Sequence, residues 1–251
     1  MFTDYPPEQI AAACEACAAE VLAEAGAVAP PVDSFALAKK LGIAVVQGRD
    51  ASPRAQRVAM GGRPGGETIL LAEEPRPERR QWAVAHELGE VFAERVFDLL
   101  GAAPREEAAD AREWVANRLA GLLLLPPEWF VPDGRRCGWD LAWLKRRYAT
   151  ASHELIARQM LLAGPAAIVT LFDGGRVTWR RGSGGSGGGW GRPPRLADAE
   201  ERCWRRCRSL GEAVEIDALG LPSGVASVRC WPVHEPGWER EILLTLLGEA
   251  W

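Results

Sequence analysis

An α+β protein is predicted from three features of the chain: long stretches with apolar residues at helical spacing, short β-branched runs bounded by Gly and Pro, and a Gly-rich segment late in the chain. The 251 residues, 47% of them apolar, are enough to bury a sizeable core in one large domain or two small ones.

The first helix is expected over Pro7 to Ala25, where Ile10, Cys14, Cys17, Val21 and Leu22 recur on one face and Gly26 ends the run. Ser34 is placed to cap a short second helix, FALAKKLG, and the following IAVV has strand character. Arg57 to Met60 and Thr68 to Leu71 flank GGRPGGE, which suits two strands joined by a reversing loop. Helices are predicted from Pro77 to about Leu100 and from about Arg105 to Leu125, where Pro126 and Pro127 forbid continuation. Two shorter helices, Asp140 to Tyr148 and Ser152 to Leu162, surround ATAS, with Ser152 as a cap. AIVTLF and RVTW on either side of Asp173-Gly174-Gly175 give a hairpin signal. GSGGSGGGWG cannot supply a core and marks a linker. Beyond it, Arg195 to Leu210 reads as helix, VEI and GVASVRCWPV as strands, and EREILLTLLGE as a buried final element.

A net charge of -4 gives no general attraction to nucleic acid, so direct nucleic-acid binding is disfavoured as a main activity. The N-terminus lacks a secretory pattern, and the longest apolar run, around Leu122 to Leu125, is far shorter than the roughly 20 residues of a membrane span. A cytoplasmic protein is expected, with its six cysteines reduced. Cys14 with Cys17 and Cys203 with Cys207 read as buried thiols, because the loop-borne C-x-x-C of a zinc ribbon is absent. Trp231, Trp238 and Trp251 read as core and chain-end packing.

The segment AVAHELGEVF is apolar on nearly all sides around Trp82, Val84, Leu88, Val91 and Phe92, yet it carries His86, Glu87 and Glu90. Unpaired charges in such a setting are costly. Positions i and i+4 share a helix face, so His86 and Glu90 can address one atom while Glu87 stands beside them. This is the geometry of H-E-x-x-H with the last His replaced by Glu. A hydrolytic zinc site needs three protein ligands, an open position for water and a carboxylate to take the water's proton. His86 and Glu90 supply two ligands and Glu87 the base. Glu113 shares a face with Ala116, Asn117 and Ala120 on the next helix, whose small alanines permit close approach, and is the natural third ligand. Read alone, Glu113 also suits a surface acid in the stretch with Glu106, Glu107 and Asp110.

Several motifs together resemble the ImmA/IrrE family of metallopeptidases: PVDSFALAKKLGIAVV, ETILLAEE, WAVAHELGE and EWVANRLAGLLLLP. The resemblance is strongest between about Val32 and Pro126 and continues weakly through SHELIARQM and WPVHEPGWEREILLT. It implies a zincin-like metallopeptidase domain with a small mixed sheet and an active-site helix over residues 1–181, including the helix pair 140–162. A Gly-rich linker over 182–194 and a small α/β module over 195–251 would complete the chain. It also implies a zinc-dependent peptidase acting on a protein partner such as a helix-turn-helix repressor, with His86, Glu90 and Glu113 as ligands and Glu87 as general base. Where the family has a second metal-binding His, this chain has Glu90.

Two carboxylates and one imidazole leave a divalent site formally neutral, so its water is expected to be less acidic, and manganese or iron should compete better with zinc. Thr68 and Ile69, before the metal helix, are candidates for an edge strand that binds substrate through its backbone. Two other readings stay open: a catalytically silent family member that acts as a regulatory or protein-binding module, and a DNA-binding regulator using the helix pair 140–162 with Lys145, Arg146 and Arg147.

Overall fold

The computed structural model describes residues 5–48, 56–59, 67–102, 109–183, 195–216, 221–235 and 237–248. Most of the GGRPGGE loop, the expected helix start near Arg105, the Gly-rich stretch over 184–194 and Trp251 lie outside them. The chain divides into two compact units: Met1–Pro132 with Arg146–Ser152, and Asp133–Lys145 with His153–Trp251.

The first unit opens with α1 (Pro7–Glu24), which starts on a proline and buries Ile10, Cys14, Cys17, Val21 and Leu22 as the periodicity predicts. Its thiols behave as apolar packing: burial pushes Cys14 up to about 11 and Cys17 up to about 12. Helix α2 (Ser34–Lys40) is capped by Asp33, not Ser34. The Asp33 carboxylate accepts from the Phe35 and Ala36 amides, whereas the Ser34 hydroxyl donates to Gln81.

Strands β1 (Ala44–Gln47), β2 (Gln56–Ala59) and β3 (Glu67–Leu71) form a small mixed sheet in the order β1-β3-β2. The predicted antiparallel pairing of β2 and β3 is present, and β1 runs parallel to β3 on its other side. Helix α3 (Pro77–Leu100) ends at Gly101, whose φ of 68° is readily tolerated only without a side chain. Helix α4 (Ala109–Leu124) lies against α3, and α1 packs on both. Ile69, Leu71, Val84, Leu88, Val96, Phe97, Leu119 and Leu123 join one core with α1 and α2. The two prolines stop α4 as expected, but Pro127 also starts a helix that the sequence reading lacks, α5 (Pro127–Arg136). Phe130 of α5 meets Tyr148 edge to face at 5.4 Å, and both are fully buried.

Helices α6 (Leu141–Arg147) and α7 (His153–Ala163) match the expected pair. In the second unit, β4 (Ala167–Asp173), β5 (Arg176–Gly182), β6 (Val214–Ile216), β7 (Val225–Glu235) and β8 (Trp238–Leu247) make an antiparallel sheet in the order β5-β4-β8-β7-β6. Helix α8 (Asp198–Leu210) packs on β6, β7 and β8.

The expected division at residues 181 and 195 is therefore corrected. Strands from both sides of the Gly-rich stretch share one sheet, because β8 pairs with β4 as well as with β7. The helix pair 140–162 is also divided, with Arg146–Ser152 in the first unit and His153 onward in the second. Ile242, Leu243 and Leu244 are successive yet all buried, as expected of an inner strand covered on both faces. Pro232 sits in β7 beyond the stretch, Val228–Cys230, that pairs with β6.

Beneath α8, Cys203, Cys207 and Cys230 lie in the core with Phe172 and Leu243, and burial holds Cys203 at about 12. Glu200, also buried, accepts from Arg180 Nη2 through both carboxylate oxygens at 2.9 Å and from the Ala197 amide at 2.8 Å. Among the described residues no helix is long and apolar enough to cross a membrane.

Candidate metal centre

The centre is built on two neighbouring helices of the first unit. Helix α3 turns Val84, Leu88, Phe92 and Val96 into the core, which leaves His86 and Glu90 together on a partly exposed face. Glu87, one residue on, is only 7% exposed. Helix α4 buries Ala111, Val115, Ala116, Leu119 and Ala120 and presents Glu113 from its margin.

The closeness of the two helices has a visible cause. A Cβ placed on Gly89 would stand 2.4 Å from the backbone oxygen of Ala116 and 2.9 Å from its Cα. Only glycine on α3 facing alanine on α4 permits this approach. The predicted small-residue contact is therefore present, with Gly89 as the partner that sequence reasoning did not name.

Across this seam one ligand atom from each of His86, Glu90 and Glu113 lies within 4.8 Å of the other two. His86 Nε2 is 3.5 Å from Glu113 Oε2. An ion with ligands at about 2.0–2.1 Å in tetrahedral array holds its donors roughly 3.3–3.4 Å apart, so this pair is already near that spacing. The imidazole nitrogen and two carboxylate oxygens are donors suited to a divalent cation, and the pair from His86 and Glu113 is near the separation one requires.

Two further side chains orient the acids. Arg112 Nε donates to Glu90 Oε2 at 3.0 Å and Nη2 to the Glu90 carbonyl at 3.1 Å, while Nη1 lies 3.6 Å from Glu94 Oε1. Asn117 Nδ2 donates to the Glu113 carbonyl and to Glu113 Oε1, both at 2.9 Å. The sequence reading put Asn117 on the right face without a role and passed over Arg112. Glu87, Glu90, Glu94 and Glu113 outnumber the one guanidinium, which leaves the cluster net negative and favours a cation.

Thr68 and Ile69 do not fit the role expected of them. They lie on β3, the central strand, whose backbone is paired with β1 on one side and β2 on the other, and they are 6% and 0% exposed. A peptide cannot add to a strand already paired on both edges. Helix α7 carries one arginine, which is already engaged. Its Arg158 is bonded twice to Glu154, at 3.1 and 2.8 Å, and lies over the Trp179 ring at 4.8 Å.

Residues 38–159 match the family model of the IrrE N-terminal-like domain, peptidase family M78. No curated protein matches the chain in sequence. A solved structure described as a Mycobacterium tuberculosis transcriptional regulator is similar in fold, with a TM-score of 0.63 and 18% identity over 97% of this chain and 77% of that one. That identity speaks for the fold alone. Residues 38–159 thus carry an IrrE N-terminal-like domain, which supports placing the chain with the ImmA/IrrE family, and the histidine and two glutamates lie between α3 and α4 of that domain.

Proposed function

We propose that this protein is a metal-dependent endopeptidase that hydrolyses a peptide bond in a protein partner, with His86, Glu90 and Glu113 as the metal ligands and Glu87 as the general base. The observation that carries the reading is the convergence of one imidazole and two carboxylates within 4.8 Å, with a buried glutamate next to the imidazole in the chain. Zinc is the favoured ion, and manganese or iron competes because two of the three donors are oxygens. A divalent ion held there supplies Lewis acidity toward water and the scissile carbonyl.

The protein's own residues do the rest. Glu87 takes a proton from the attacking water and returns it to the departing amine, and its burial shields that transfer from bulk water. Asn117 and Arg112 hold Glu113 and Glu90 in place. A partner of the helix-turn-helix repressor class follows from the family resemblance. We place the action in the cytoplasm, where the six thiols stay reduced.

The test is cleavage of a quenched fluorescent peptide library by purified protein loaded with zinc or manganese, compared with Glu87→Gln. Cleavage by the wild type that falls at least 100-fold in Glu87→Gln, with metal retained, supports the reading. Equal cleavage by the two proteins, or none by a metal-loaded wild type, refutes it. The latter result leaves a protein-binding module as the better description.

A further inference from the structure

Glu90 stands where the family resemblance has an imidazole, and counting ligands alone makes the divalent site formally neutral instead of plus one. Arg112 changes that count. Its guanidinium lies against Glu90 through the side chain at 3.0 Å and through the main chain at 3.1 Å, and both residues are only partly exposed, Arg112 at 29% and Glu90 at 24% of their side chains. Glu94, 3.6 Å from Nη1, is 63% exposed and its charge is screened by solvent, so among the groups held in the seam a divalent cation with two ligand carboxylates and one adjoining guanidinium again sums to plus one, the value for two imidazoles and one carboxylate.

We infer that Glu90 and Arg112 are a matched pair, with Arg112 a positioning residue that fixes the Glu90 carboxylate and restores the positive charge lost with the imidazole. This rests on the metal-site reading above. The fixed guanidinium brings two physical consequences. With Glu90 present, its charge is offset at contact distance and its two-point grip keeps the ligand from swinging toward solvent. With His at position 90, the same guanidinium would face a dication with no carboxylate between them, a repulsion little screened in a half-buried seam. Glu90→His alone should therefore fail to build a good two-histidine site.

The test is a double-mutant cycle read by metal affinity instead of turnover. Wild type, Arg112→Gln, Glu90→His and Glu90→His/Arg112→Gln are stripped of metal and titrated with Zn2+ against a chromophoric chelator. Co2+ titrations followed by visible absorption report the ligand geometry. Removing Arg112 is expected to weaken Zn2+ binding at least threefold when residue 90 is Glu and to strengthen it at least tenfold when residue 90 is His. The Co2+ spectrum should change with Arg112→Gln in the Glu90 protein, which loss of a merely structural contact would not do. If Arg112→Gln has the same effect in both backgrounds, or none, the matched pair is refuted while the metal site stands. If the wild type binds neither ion, the metal-site reading itself falls and takes the pair with it.

Discussion

Gly89→Ala should damage both the fold and the centre, although on an isolated helix the same change is favourable. Alanine gains about 1 kcal/mol over glycine in a helix interior. Here the new methyl would lie 2.4 Å from Ala116 O, 2.9 Å from its Cα and 3.0 Å from its carbonyl carbon. All three are backbone atoms, with no rotamer to change, so relief requires α3 and α4 to separate locally by on the order of 1 Å to regain ordinary contact of about 3.5 Å. Overpacking of this kind costs typically 1–3 kcal/mol, and rigid backbone places it at the upper end. The expected net loss is about 2 kcal/mol after the helix gain, read from urea unfolding. Gly121→Ala is the internal control, since a Cβ there meets nothing within 4 Å, and it should be neutral or gain up to about 1 kcal/mol. Because the seam carries His86 on one side and Glu113 on the other, Gly89→Ala should also weaken zinc binding about tenfold or more. A Gly89→Ala protein as stable as Gly121→Ala would refute the close-approach explanation.

Two predictions concern the second unit. Glu200→Gln removes the carboxylate charge held against the Arg180 guanidinium, which is 10% exposed, and should cost about 3–5 kcal/mol in urea unfolding; a loss below about 1 kcal/mol would show that the pair is dispensable. The Arg240 guanidinium beside Asp173, helped by the Thr178 hydroxyl, holds the Asp173 carboxyl below its usual range. A carboxyl lowered on folding adds stability above its unfolded value, about 3.9, and that stability is lost as pH falls through the folded value. Unfolding midpoints between pH 2 and 6 should drop less steeply in Arg240→Gln than in the wild type, and parallel curves would count against this ion pair.

Local chemistry made much of this fold readable. The helical spacing of Val84, Leu88, Phe92 and Val96 defines α3, and the pair Pro126-Pro127 ends α4, because both signals lie within their own segment. What escaped depends on neighbours. Asp33 displaced Ser34 as cap because Gln81 claims the serine hydroxyl. EREILLTLLGE shows no period because β8 is covered on both faces, and the Gly-rich segment looked like a boundary because composition reports looseness, not which strands meet across it. At the centre, the helix-face rule places His86, Glu90 and Glu113 correctly enough for the three to meet. Gly89, Arg112 and the grip of Asn117 emerge only when the register of α3 against α4 is known.

The most direct measurement is the metal affinity and stoichiometry of the wild type and Glu113→Ala, by elemental analysis and calorimetric titration with Zn2+. One divalent ion per chain in the wild type, with affinity reduced at least 100-fold on loss of the α4 carboxylate, is the predicted result. A wild type that takes up no ion, or a Glu113→Ala protein that binds as tightly, would contradict a centre shared by the two helices.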